Sequence, residues 1–255
     1  MKDTRSLSNA AFALLAVLLL ISGWQLIVSI TGVPRYILPS PEAVLAALVR
    51  YSSLLWSHGL TTGLEVVLGF ISGTLLGITT ALTLAAWYPV RRLVLPLLLA
   101  SQTIPIFAIA PILMLWLGYG LASKVVMATL IIYFPIASTC YDGLRQTPSA
   151  WTDLGQTLGA SNAQQLFRIR FPAALPSLCS GLRMAATAAP IGAVIGEWVG
   201  SSHGLGYLML QANGRMQTDL MFAALFILIV IAVLLYQGVD WLCRWLVPWQ
   251  SLSEQ

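Results

Sequence analysis

An all-α, polytopic membrane protein is the fold class this sequence predicts, and three observations carry that prediction. Hydrophobic residues make up 58% of the 255, charged residues only 9%, and the mean hydropathy is +0.84. A soluble domain carries about 25% charged residues. Six apolar runs, at 10–30, 62–87, 93–118, 124–143, 178–199 and 220–242, are each close to or beyond the ~20 residues a membrane-crossing helix needs. Backbone polar groups cannot go unpaired in lipid, so these runs must be helices. They are too long for the short alternating strands of a transmembrane barrel.

The first run follows Lys2 and Arg5 in the manner of a signal peptide. It is longer than a signal core and no small-x-small cleavage site closes it, so an uncleaved first helix is expected. Ser40 and Pro41 then mark a helix start. The spacing of Ala43, Val44, Ala47, Leu48 and Tyr51 predicts an amphipathic helix lying on the outer membrane surface. The second run carries Glu65 near one end. Its Gly69, Gly73 and Gly77 lie four apart on one face, a pattern that suits close helix packing. Ser101, Gln102 and Thr103 interrupt the third run, followed by Pro105 and Pro111, and Pro190 interrupts the fifth. The fifth run ends on Glu197 and Trp198. The chain reads as one domain over 1–255: 1–57 hold the first span and the surface helix, and 58–243 hold a five-helix core.

Between the fourth and fifth runs lies a polar, helix-compatible insert, 148–176 at its widest. Thr147 and Pro148 predict an N-cap followed by a first-turn proline. A short helix follows to Leu158, with Asp153 in its early turns, where the dipole favours an acid. Gly159 ends it without steric cost. Ser161 and Gln164 have the spacing of a capping box opening a second short helix to about Arg170. Pro172 and Pro176 are expected to stop that helix and turn the chain back into the membrane.

Nine basic residues fall on the side of this insert and the N-terminus: Lys2, Arg5, Arg91, Arg92, Arg145, Arg168, Arg170, Arg183 and Arg244. Four fall on the other: Arg35, Arg50, Lys124 and Arg215. The positive-inside rule then puts both termini and the insert in the cytoplasm.

Several function classes drop out. No G-x-x-x-x-G-K-[ST] loop occurs, so the chain holds no ATP site of its own. Cys140, Cys179 and Cys243 show no metal-ligand spacing and read as small buried hydrophobes, so no metal site is expected. The net charge of +4 carries no nucleic-acid signal. Ser201, Ser202 and His203 are neighbours in sequence, which rarely gives triad geometry. A secondary transporter would show an inverted repeat and mid-membrane acids, and neither is evident.

The insert resembles the signature loop of binding-protein-dependent ABC importer permeases. That motif reads Glu-Ala-Ala, three residues, Gly, nine residues, Ile-x-Leu-Pro. Here it becomes Asp153-Leu154-Gly155, then Gly159, then Ile169-Arg170-Phe171-Pro172, with every spacing kept and the opening triplet changed. Leu38-Pro39-Ser40-Pro41, Gly118-Tyr119-Gly120, Gly204-Leu205-Gly206-Tyr207-Leu208 and Pro248-Trp249 extend the likeness to nearly the whole chain. They point to the subgroup that handles taurine, aliphatic sulfonates, nitrate and the thiamine pyrimidine precursor.

The resemblance implies a coupling helix gripped by a cytoplasmic ATPase subunit. Docking would fall to Asp153, Leu154, Gly155, Gly159, Leu166, Phe167, Arg168 and Ile169, and hinging to Pro172. It also implies two ATPase copies that bind the ATP and Mg, an extracytoplasmic solute-binding protein, a permease homodimer, and residence in a bacterial cytoplasmic membrane.

Polar residues and helix breaks inside spans are costly and often functional. Glu65, Ser101, Gln102, Thr103, Pro105, Pro190, Glu197 and Trp198 are therefore the candidates to line a solute pathway. The alternatives are interfacial acids, solvated or paired with Arg215 or Arg35, and hydrogen bonds of the Ser-Gln-Thr run within one subunit. Sulfonate-type relatives usually carry Arg where Glu65 stands, and 192–198 look more like the pyrimidine-precursor branch. The expected solute is hydroxymethylpyrimidine or a related vitamin precursor, with taurine, sulfonate or nitrate as the alternative.

Overall fold

The fold is known from a computed structural model, which describes residues 2–249; residue 1 and residues 250–255 lie outside it. Every regular element is a helix: α1 (Lys2–Thr31), α2 (Pro41–Arg50), α3 (Ser52–Ala86), α4 (Tyr88–Ser101), α5 (Ile106–Leu117), α6 (Leu121–Arg145), α7 (Ser149–Thr157), α8 (Asn162–Gln165), α9 (Phe171–Gly200), α10 (Leu205–Gly214) and α11 (Thr218–Leu246). A π-turn, Leu166–Arg170, joins α8 to α9.

Four described helical stretches are long and apolar enough to cross a membrane: α3, α6, 162–200 and α11. The expected third span is not a single helix. It is the pair α4 and α5, bent by 103° at 102–105. Pro105 has no N–H and sits extended (φ −62°, ψ 124°), so the helix cannot run through it. The last carbonyls of α4 are instead met by short i+3 bonds from Gln102, Thr103 and Ile104, and the Ser101 and Thr103 hydroxyls bond back to Leu98 and Ala100.

The core is the three-helix sandwich of α3, α6 and α9. Ile132, Ile136 and Cys140 of α6 meet Ala185, Ala186 and Ala189 of α9, all fully buried. On its other face α6 meets the glycine row of α3. A Cβ on Gly73 would stand 2.5 Å from Ile132 Cγ1, and one on Gly77 2.8 Å from Ile136 Cγ2. The row thus serves close packing inside one subunit. Arg183 of α9 bonds Asp240 of α11 at 2.8 Å, and Arg244 bonds the other carboxylate oxygen at 2.7 Å. All three cysteines are free and buried, as expected.

The surface helix forms as expected, with Ser40 accepting from the Ala43 N–H at 3.3 Å and Pro41 in its first turn. Its buried face is not spent on lipid, however. Val44 and Ala47 pack against Leu205, Leu208, Leu220 and Ala223 of α10 and α11. The prolines near residue 172 also behave differently from expectation. Pro172 falls in the first turn of α9 and Pro176 lies within it, so the chain runs on as one helix from Asn162 to Gly200. The π-turn just before it, in which the Phe171 N–H reaches back to Leu166, absorbs the misfit of the missing N–H.

Candidate functional site

Two sites stand at opposite ends of α9. The first is the hairpin of α7, α8 and the π-turn. Helix α7 starts at Ser149, with Pro148 as its N-cap where Thr147 was expected. Gly159 adopts φ +78°, where an L side chain is strained. The Gly159 N–H donates to Gln156 and the Ala160 N–H to Gly155, both at 2.9 Å, which is the Schellman closure of a helix end. The capping box then opens α8: Gln164 N–H to Ser161 Oγ at 3.3 Å, and Ser161 N–H back to Gln164 Oε1 at 2.8 Å. Buried Gln165 donates to the Ala160 carbonyl at 3.1 Å and clamps the two arms together.

The hairpin divides the expected docking residues into two sets. Gly155 is buried, and a Cβ there would come within 2.6 Å of Ile169 Cδ1. Leu166 is buried in the main core and Ile169 is half-buried. These three shape the hairpin from within. Asp153, Leu154, Gly159, Phe167 and Arg168 are exposed. Leu154 and Phe167, with Trp151 and Leu158, give the hairpin its exposed apolar side chains, among which Leu158 is 77% and Leu154 60% exposed. A cleft of about 770 Å³ runs between Trp151, Leu154, Arg168, Pro172 and Trp249.

The second site is a buried polar hub around the start of α10. The first four N–H groups of a helix have no partner within it. Gly204 offers no side chain as an N-cap, and its φ of +112° leaves no room for one against the Glu197 carboxylate. Other elements supply the acceptors. His58 Nδ1 accepts from Gly204 N–H at 2.9 Å, and Thr62 Oγ1 from Leu205 N–H at 2.8 Å. Glu197 Oε2 accepts from Gly206 N–H at 2.5 Å and Tyr207 N–H at 3.3 Å. Thr62 in turn donates to Glu197 Oε1 at 2.6 Å. A carboxylate at a helix N-terminus is also favoured by the dipole. Beside it Glu65, wholly buried, faces Lys124 Nζ at 3.5 Å.

Glu65 and Glu197 are thus brought together, and neither pairs with Arg35 or Arg215. Lys124, expected on the outer side at the start of the fourth run, is only 6% exposed. Trp198 points outward and Pro190 is buried in α9. Ser101, Gln102, Thr103 and Pro105 sit exposed at the α4–α5 elbow, with the hydroxyl bonds kept inside their own turn. Ser201 Oγ donates to the backbone carbonyl of His203, so its hydroxyl is not set against the imidazole as in a triad. Sequence reasoning missed His58, Thr62 and Lys124. The available signal was the glycine-rich 204–208 segment, which needs outside acceptors, a few residues after a buried-span acid.

The family described as binding-protein-dependent transport system inner membrane component matches residues 73–251. The chain belongs to this family. The permease is therefore the membrane component of an ABC importer, a transport subunit whose place is the inner membrane. It is 54% identical to a probable ABC transporter permease protein of Haemophilus influenzae, over 90% of this chain and 94% of that one. It is 38% identical to a formylaminopyrimidine transport permease protein of Halalkalibacterium halodurans, over 92% and 94% respectively. Its fold matches a chain of the inward-facing MetNI methionine ABC transporter with a TM-score of 0.61 at 22% identity, covering 79% of the permease and 97% of that chain.

Proposed function

We propose that the permease imports a hydroxymethylpyrimidine-like vitamin precursor, driven by a separate ATPase that grips the α7–α8 hairpin. The carrying observation is the exposed apolar side chains of Trp151, Leu154, Leu158 and Phe167, held by a hairpin closed at both caps. Exposed apolar side chains of this kind on a rigid, polar-walled knob suit a groove in a soluble protein. In this reading α1 is the first of six spans, the hairpin and both termini are cytoplasmic, and two copies share one pathway. Two ATPase subunits bind the ATP and Mg, and an extracytoplasmic binding protein delivers the solute to the end of the bundle bearing α10. Closing of the ATPase pair pushes the hairpins, and 162–200 carries that motion across the membrane as one helix.

The solute class is supported by charge placement. Lys124, within a span, is committed to Glu65, which leaves it no free positive charge to offer a sulfonate or nitrate. The 38% identity to a formylaminopyrimidine permease points the same way. The test is purification in mild detergent with associated subunits, followed by mass spectrometry of the solute on the recovered binding protein. A pyrimidine and a copurified ATPase are expected. Taurine, an alkane sulfonate or nitrate would overturn the solute, and absence of any nucleotide-hydrolysing subunit would overturn the coupling.

A further inference from the structure

We propose that Arg170 is a positioning residue of the coupling step, the strut that makes the hairpin move α6 as well as α9. This rests on the reading of the hairpin as the ATPase dock.

Arg170 is the last residue of the π-turn. Its guanidinium donates twice to one acceptor, the Leu144 carbonyl, from Nε at 3.2 Å and Nη2 at 3.0 Å. Leu144 lies in the final turn of α6, where carbonyls have no partner within the helix. Thr147 Oγ1 is the other donor to that carbonyl, at 3.3 Å. A guanidinium at a helix C-terminus also complements the dipole. Arg145, the nearer arginine in sequence, is used differently, with its guanidinium over the Tyr141 ring at 5.7 Å.

The π-turn is what aims Arg170. Phe171 N–H reaches back five residues to Leu166 instead of four. One extra residue rotates everything after it by about 100° relative to an unbroken α-helix. Such single-turn insertions mark sites where side-chain direction is set for function. Helical continuity ties the hairpin to α9, whereas α6 joins it only through the non-helical link 146–148. The bonds from Arg170 add α6, and beside them Gly143 lets the two helices close, since a Cβ there would lie 2.8 Å from Ser177 Cβ. Hairpin, α6 end and α9 start become one body, so a push on the hairpin tilts both core helices together.

The experiment compares Arg170→Gln, Arg170→Ala and Arg170→Lys in the full transporter with its ATPase and binding protein, reconstituted in vesicles. ATPase retention, ATP hydrolysis and solute uptake are measured on the same preparation. The expected result for Gln and Ala is unchanged ATPase retention, sustained hydrolysis, and about tenfold more ATP consumed per solute, the factor associated with losing one charge-assisted bond. Arg170→Lys, which keeps the charge and one donor group, should recover most of the coupling. A role confined to stability would lower hydrolysis and uptake together, and that result overturns the proposal, as does unaltered coupling in Gln and Ala.

Spin labels at Leu158→Cys and Gln146→Cys give a second readout that needs no turnover. Their distance distribution should be narrow with Arg170 and broad with Lys less than with Gln; equal widths overturn the proposal. If the wild type itself retains no ATPase, the docking reading fails. If the wild type couples and the variants couple equally, only the strut fails.

Discussion

Replacing Glu197 by leucine tests the buried hub most directly. The side chain is 1% exposed and accepts from Thr62, Gly206 and Tyr207. Thr62 can fall back on the His58 carbonyl, 3.2 Å away. Gly206 and Tyr207 have no such reserve, because they are among the first amides of α10. A buried N–H left without an acceptor costs about 1–3 kcal/mol, so the two together amount to about 2–6 kcal/mol. At about 1.4 kcal/mol per decade, the lower bound is already about a thirtyfold rise in local opening. Hydrogen exchange resolved over 204–208 should show that increase, with α6 protected as before. Glu197→Gln keeps one acceptor oxygen and should fall between. If exchange at Gly206 and Tyr207 in the leucine variant stays within about threefold of wild type, the hub does not hold α10 and the reasoning fails.

Other outcomes follow from the same contacts. Gly73→Ala forces a Cβ to within 2.5 Å of Ile132 Cγ1 and should lower stability by about 1–3 kcal/mol in thermal unfolding; in the Ile132→Ala background the same change should cost little or stabilise, and strictly additive losses would refute the packing account. Gly159→Leu meets no neighbouring atom but a φ of +78°, a strain of about 1–2 kcal/mol. The bundle should stay folded while ATP hydrolysis separates from uptake, and normal uptake would count against the docking role. Lys124→Met leaves Glu65 buried without its ion-pair partner and should cost about 3–5 kcal/mol. Combining it with Glu65→Gln should recover most of that loss, and an equal loss in the pair would show that the two side chains act apart.

The hairpin was legible in sequence because its determinants are local. Gly159 must take positive φ, Ser161 and Gln164 cap each other, and each decision involves residues at most a few positions apart. The glycine row of α3 was equally legible, since one helical period suffices to place it on one face. What escaped depends on pairs distant in sequence. Lys124 and Glu65 lie 59 positions apart by their numbering, and a charge at the end of an apolar run looks the same whether it meets water or a buried acid. Pro105 and Pro172 show the limit of a local rule. Both are breakers, yet Pro105 stands outside a helix and turns the chain through 103°, while Pro172 sits in a first turn and leaves the helix intact. The difference lies in the turn before each proline: a widened π-turn takes up Pro172, whereas tight i+3 turns have already ended α4 before Pro105. Leu166 and Gly155 were assigned to the outer face by motif position, whereas the hairpin needs their bulk and their smallness inside.

The unbroken run from Asn162 to Gly200 has a geometric consequence. At about 1.5 Å per residue, its 39 residues make a rod of about 58 Å. One tip is welded into the hairpin and the other, through Glu197, into the first amides of α10. A rod fixed in that way and pivoting near its middle behaves as a seesaw. A tilt of about 10° would carry each tip about 5 Å, in opposite directions, with no need for the intervening side chains to repack one after another.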